Sequence, residues 1–316
     1  MIEWKSDKGA LPFVGVAREQ PATSRQLQAW LVANKEEVEQ LLHTHGAVLF
    51  RGFGVASAEE FQNIAAIFCD ELGSYVGGNS PRTRVSSHVF TSTEYPKDEQ
   101  ISMHNEASYL KRMPGHILFC CLKPATQGGQ TPLADCRRVL NRIDPDVRSR
   151  FDRNGVLYVN NLHGGAGLGK SWMETYRAKD PREVEDYLEA NGHTFAWKPD
   201  QTLRISMDAP ATLVHPTTQE GVWINQAEQW HSSSLESSLR EELLEILTEQ
   251  DLPHNAFLGD GSELRMSDLE NIREAMAAEE RVFEWQAGDV LICDNLLVMH
   301  GRQPYSGDRR VLAAMG

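Results

Sequence analysis

The sequence contains no apolar run approaching the eighteen or so residues that a membrane-spanning helix needs, so a bilayer-embedded protein is not expected. Residues 1–8 lack the apolar stretch of an export signal. Basic residues are in deficit. Lys and Arg number 31 against 45 Asp and Glu, a net charge of −14, which disfavours nucleic acid and anionic membranes as partners. Cysteines are few: Cys69, Cys120, Cys121, Cys136 and Cys293 are odd in number, lie mostly among apolar neighbours and show no Cys-x-x-Cys spacing. Reduced thiols and a cytoplasmic location are expected. Internal repeats and low-complexity tracts are also lacking, which excludes solenoids and disordered linkers.

What remains is an ordinary globular composition, long enough for one domain with insertions. The apolar period predicts a helix over 24–42, a buried strand over 46–53 and a second helix over 57–72, capped by Ser57 with Glu60 at the capping-box position. Short strand-like runs follow at 85–93, 116–122, 155–160, 194–197, 203–207, 221–224, 282–285, 289–293 and 310–315. Helical patterns interrupt them at 182–190, 236–249 and 266–280. A mainly β sandwich or barrel with helical insertions is expected. It forms a single domain over 1–316, with 1–80 as a helix-strand-helix opening and 161–193 and 226–281 as insertions or lids.

His104 and Glu106 are two residues apart. On an extended strand both side chains point to one face, and a distant His300 completes three ligands. Two imidazoles and one carboxylate on one side of a metal leave positions open for a co-substrate and oxygen, the pattern of non-haem Fe(II) oxygenases.

A rival motif lies mid-chain. Gly164 to Ser171, GGAGLGKS, satisfies the phosphate-loop pattern G-x-x-x-x-G-K-S after a strand-like run, and 290–294 imitates a Walker B strand. Lys170 and Ser171 would then hold phosphates. Such a loop requires a long helix immediately afterwards and alternating parallel strands. Pro181 truncates any such helix, so a glycine-rich active-site loop is the expected role.

Taken in order, His104-Asn105-Glu106, Gly128-Gly129-Gln130-Thr131-Pro132, Asp294-Asn295, His300-Gly301-Arg302 and Arg309-Arg310 resemble the iron(II)/2-oxoglutarate dioxygenases of the taurine dioxygenase (TauD/TfdA) superfamily. Glutamate at 106 is similar to the clavaminate synthase-like branch. The segments Thr91-Ser92-Thr93-Glu94-Tyr95-Pro96, Trp223-Ile224-Asn225-Gln226 and His300-Gly301-Arg302-Gln303-Pro304-Tyr305 look closest to syringomycin-type amino-acid hydroxylases within it.

The resemblance implies a double-stranded β-helix (jelly-roll, cupin-like) core and Fe(II) held by His104, Glu106 and His300, with 2-oxoglutarate and O2 as co-substrates. Arg310, ten residues past His300, and Thr131 would bind the distal carboxylate of 2-oxoglutarate, with Arg309 facing the other way. The implied reaction is hydroxylation in secondary metabolism with release of succinate and CO2. Desaturation or epoxidation on the same iron is the alternative. Glu106 leaves no room for the halide that halogenating relatives bind. Substrates would be amino acids, free or tethered to a carrier protein, with Arg84, Glu94, Arg204, Asn225, Gln226 and His231 as candidate contacts. A sulfonate is disfavoured because Ala314 stands where taurine-type members carry a second arginine. His116, His163, His215 and His254 are read as structural, and Trp230 and Trp285 as packing.

Overall fold

The computed structural model describes residues 1–5, 10–19, 21–69, 89–91 and 95–316. Its centre is a seven-stranded sheet in the order Ile2–Trp4, Phe13–Ala17, Ala47–Arg51, Val290–Asp294, His116–Lys123, Arg310–Met315, Phe90–Thr91. The strands that read as continuous apolar runs are buried on both faces, as such runs require. Leu49, Phe119, Cys121, Leu291, Cys293, Val311 and Ala313 enter one apolar cluster, while the alternating Val48, Phe50, Leu118, Cys120, Val290, Ile292, Leu312 and Ala314 enter a second. Each large apolar side chain fully buried in this way contributes roughly 1.5–3 kcal/mol.

Helices cover one face. The expected helix at 24–42 is two helices, Ser24–Ala33 and Lys35–His45, because Asn34 donates its side-chain amide to the Trp30 carbonyl and takes a non-helical conformation. Leu27, Leu31, Val38 and Leu42 are buried beneath them. The third helix, Ala58–Phe68, is capped by Ser57, but the Glu60 carboxylate reaches Ser24 Oγ at 2.6 Å and the Ala56 N–H at 2.8 Å instead of closing a capping box. Residues 70–72 of the expected helix and most of the expected 85–93 strand lie outside the described residues.

The opposite face carries two further sheets. One is three-stranded, in the order Ile101–His104, Val298–Arg302, Leu133–Asp135; the other is four-stranded and antiparallel, in the order Thr194–Trp197, Leu203–Ala209, Val156–Leu162, His254–Leu258. Residues 282–285 are not a strand: Arg281 makes a single bridge to Leu133, and Trp285 is tied by its indole to Thr131. Short polar-rich strands at 133–135, 254–258 and 298–302, and the helices Cys136–Arg142 and Pro145–Asn154, carry too little periodicity to be foreseen. All five cysteines are buried thiols, with Cys121 pushed up by burial to about 12. Among the described residues no helix is long and apolar enough to cross a membrane.

Candidate metal centre

Three side chains converge where the small sheet meets the central one. His300 is in direct register with His104 across the antiparallel pair, and with Leu133 on its other side. The rings of the two histidines lie 4.6 Å apart, and His300 Nε2 is 3.8 Å from Glu106 Oε2. One donor atom from each of the three residues falls within 4.8 Å of the others.

Glu106 is not on the strand. The strand ends at His104, and the chain turns through Ala107 with φ +55°. The carboxylate is placed by backbone contacts: Glu106 N–H donates to Asn295 Oδ1 at 2.8 Å, and Asn295 Nδ2 donates to the carbonyls of Glu106 and Pro114, both at 3.0 Å. Asn105 locks the same turn from the other side through the Asn295 carbonyl at 2.7 Å. Asn295 stands at the corner where the chain leaves the central sheet at Asp294 and enters the small sheet at Val298.

The donor chemistry suits a divalent cation. His104 Nδ1 donates to the Ser102 carbonyl at 2.8 Å, so its Nε2 carries the lone pair. His300 is buried, and its Nδ1 has no hydrogen-bond partner among the described residues, so Nε2 is free to face Glu106 as an acceptor once Nδ1 holds the proton. A buried carboxylate between two imidazoles calls for a positive centre. Two nitrogens and one oxygen on one side match the facial arrangement of non-haem iron.

A family model described as "Taurine catabolism dioxygenase TauD, TfdA family" matches residues 11–315. The chain belongs to the TauD/TfdA dioxygenase family. Members use Fe(II), 2-oxoglutarate and O2, and this protein is an oxidoreductase of that class. It is 38% identical over 278 residues to the dapdiamide synthesis protein DdaC of Enterobacter agglomerans, covering 88% of this chain and 84% of that one. A clavaminate synthase-like protein of Arabidopsis thaliana is 31% identical over 290 residues, covering 89% and 84%. Among solved structures, PvcB of Pseudomonas aeruginosa has a TM-score of 0.56 at 15% identity, covering 99% of this chain and 90% of that one, and so shares the fold.

In this TauD/TfdA chain the two C-terminal arginines are exchanged relative to expectation. Arg310 pairs with Lys123 and is exposed, whereas Arg309 turns inward, donating from Nε to the Gly129 carbonyl at 3.0 Å and lying over the Tyr305 ring at 5.6 Å. The two-residue alternation of the strand puts Arg309 on the face of Val311 and Ala313 and Arg310 on the face of Leu312 and Ala314; the extra residue at the register shift is Leu122 of the partner strand. Burial, and then the nearby Arg302, hold Arg309 down to about 10. Thr131 is buried beside this corner, where its Oγ accepts the Trp285 indole N–H at 3.0 Å and keeps its own proton for donation.

A cavity of about 380 Å³ opens from the metal centre, lined by His104 and Glu106 together with Tyr109, Asn160, Lys170, Gln226, Trp230 and His254 among others. Of the six expected substrate contacts, Gln226 reaches it. Its amide is already committed, donating to the Asn105 carbonyl at 2.6 Å and accepting from Trp230 Nε1 at 3.2 Å. Arg204 instead binds the Gln250 carbonyl and side chain, both at 2.5 Å. Asn225 is spent on Ala211 and Ala227, and His231 is buried against Ser233, so none of these three lines the cavity. Arg84 and Glu94 lie outside the described residues.

The phosphate-loop reading fails on local structure. The strand before the motif, Val156–Leu162, lies inside an antiparallel sheet, and the helix after it, Trp172–Tyr176, has five residues. Asp294, the Walker B counterpart, is held by the Leu296 and Leu297 N–H groups and by His215. His43, His215 and Asp294 also form a metal-like group. His215 Nδ1 accepts from the Thr217 and Thr218 N–H groups, so Nε2 bears the proton and donates to Asp294 at 3.1 Å. That proton occupies the lone pair a metal would need, so His215 is structural here.

Proposed function

We propose that this dioxygenase hydroxylates an unactivated C–H bond of an amino acid or amino-acyl group in secondary metabolism. The observation that carries the proposal is the convergence of His104, Glu106 and His300 at one end of a cavity sized for a small polar molecule. The similarity to a dapdiamide synthesis protein supports the biosynthetic setting. We read residues 1–316 as one domain, with the seven-stranded sheet and the two sheets packed on it as the halves of a double-stranded β-helix.

In this reading His104, Glu106 and His300 hold Fe(II), and Arg309 replaces Arg310 as the partner of the distal carboxylate of 2-oxoglutarate, with Thr131 donating to the same group. When bound, iron and 2-oxoglutarate activate O2, with 2-oxoglutarate ending as succinate and CO2. The protein's part is positional. Ser102 fixes the His104 tautomer, Asn295 holds the turn that carries Glu106, and Tyr109, Trp230 and Leu235 shield the cavity from bulk water.

Anaerobic protein with Fe(II) and 2-oxoglutarate should show a weak visible metal-to-ligand band, and His104→Ala should abolish it. Absence of the band from the intact protein would overturn the assignment. Succinate release across free and carrier-bound amino acids then identifies the substrate.

A further inference from the structure

The glycine-rich segment that imitates a phosphate loop lines the oxygenase cavity through Gly169 and Lys170, as expected of an active-site loop. Three of its four glycines pack where a side chain would have no space. A Cβ at Gly164 would fall 2.9 Å from the Gln201 carbonyl oxygen, one at Gly167 2.7 Å from His163 Cβ, and one at Gly169, already at φ +82°, 2.9 Å from Pro253 Cβ. The segment closes on itself where His163 N–H donates to the Lys170 carbonyl and Trp172 N–H to the His163 carbonyl, both at 3.2 Å. Ser171 then caps the short helix through a reciprocal pair with Glu174. Lys170 is thus held between two pinned neighbours, on a loop made rigid by close contact rather than left flexible by glycine.

Lys170 is half-buried and lines the same cavity as His104 and Glu106, beside Pro253 and His254. Among the described residues it is the only Lys or Arg in that lining; Arg302 and Arg309 do not reach it. Desolvation, and then the Lys170 charge, lower the His254 pKa below the ordinary histidine value, and Lys170 is the positive pole of this wall. Amides of Asn160 and Gln229 and the rings of Tyr109 and Trp230 complete the surroundings. Past the outward-facing Arg310 the strand offers no further cation: Ala313, four residues past the inward Arg309, and its neighbour Ala314 are fully buried among apolar side chains.

Resting on the amino-acid oxygenase reading above, we propose that Lys170 donates to a free carboxylate of the substrate, so that the compound oxidised is a small carboxylic acid not esterified at that carboxyl. An ammonium taken from water gains most from a charged acceptor, and a carboxylate in this cavity supplies one without displacing the co-substrate from its own arginine. Burial lowers the Lys170 pKa and the nearby Glu174 carboxylate partly raises it again; an anion in the cavity adds to that support from the other side.

The test compares the twenty proteinogenic amino acids with their carboxamides, reading succinate formation by the Fe(II)- and 2-oxoglutarate-loaded enzyme and heat of binding to the anaerobic complex. The expected result is stimulation by one or more acids and not by the matching amides. Lys170→Met should raise KM and Kd for the active acid roughly ten- to hundredfold and bring the acid-to-amide ratio of kcat/KM close to one, with KM for 2-oxoglutarate unchanged. Lys170→Arg should restore most of the preference. A lysine that merely braces the loop would change melting temperature and leave that ratio intact. The proposal is overturned by equal use of acids and amides, by a preference that survives in Lys170→Met, or by stimulation from neither set. The anaerobic visible band separates these outcomes from failure of the oxygenase reading itself, since that failure removes the band in the unaltered protein.

Discussion

Asn295 and Glu106, 189 positions apart, are joined by a reciprocal pair of hydrogen bonds, Glu106 N–H to Asn295 Oδ1 at 2.8 Å and Asn295 Nδ2 to the Glu106 carbonyl at 3.0 Å. Asn295 is fully buried. The pair resembles one rung of a strand ladder made by a side chain, and it substitutes for the strand that ends two residues earlier. Asn295→Ala should weaken Fe(II) binding roughly tenfold to hundredfold, as loss of outer partners does at other metal sites. Competition with a chelating dye measures this, and an affinity equal to that of the parent would refute the positioning role. Asn295→Asp retains the acceptor but loses both donations, so it should fall between the two.

The exchange of Arg309 and Arg310 gives a second prediction. Arg309→Ala should raise KM for 2-oxoglutarate roughly ten- to hundredfold, the value of a charge-assisted pair. Arg310→Ala removes an exposed side chain and should leave KM within about twofold. Steady-state kinetics with varied 2-oxoglutarate decides between them, and the opposite ranking would show that Arg310, not Arg309, holds the co-substrate.

Stability should fall on acidification. His45, His193, His231 and His254 are all held below the ordinary histidine range, chiefly by burial, with His231 at about 4. A depressed folded value means that the unfolded chain binds the proton first. The stabilisation is therefore complete above about pH 6.5 and is lost as pH drops toward 4. Urea unfolding of His231→Gln should show a shallower loss between pH 6.5 and 4.5 than the parent; parallel curves would rule His231 out as a contributor.

Arg137 secures the third strand of the small sheet. It forks onto Asp135 at 3.0 and 2.7 Å, reaches Glu220 at 2.8 Å and donates to the carbonyls of His43 and Thr44. Asp135 is in register with Val298 on the strand bearing His300. Arg137→Ala should destabilise by about 3 kcal/mol, because a largely buried carboxylate loses its partner. Lys in its place keeps the charge but not the fork, and should recover only part of the loss in denaturant titrations.

Much of the framework was legible because apolar period survives any tertiary context. The strands at 116–123, 290–294 and 310–315 were each foreseen within a residue or two, as were the helices Pro181–Ala190 and Met266–Glu279. His104, Glu106 and His300, which the fold brings together, were picked out by residue type and order. The missed elements are those held by single side chains: the break at Asn34, the irregular stretch around Trp285, and the turn after His104. Hydrogen bonds of that kind leave no periodic trace.

The sequence by itself determined the family, the three candidate ligands that converge and the alternation that buries both faces of the central sheet, since these depend on residue type and spacing alone. Only the tertiary structure decided that Asn295 carries Glu106, that Arg309 faces inward and that Lys170 is the cation of its loop that lines the oxygenase cavity. The physical reason is common to all three. Which face of a strand looks into the site depends on what packs against it, and a side chain's partner may lie nearly two hundred positions away, so neither is encoded in the spacing of its neighbours.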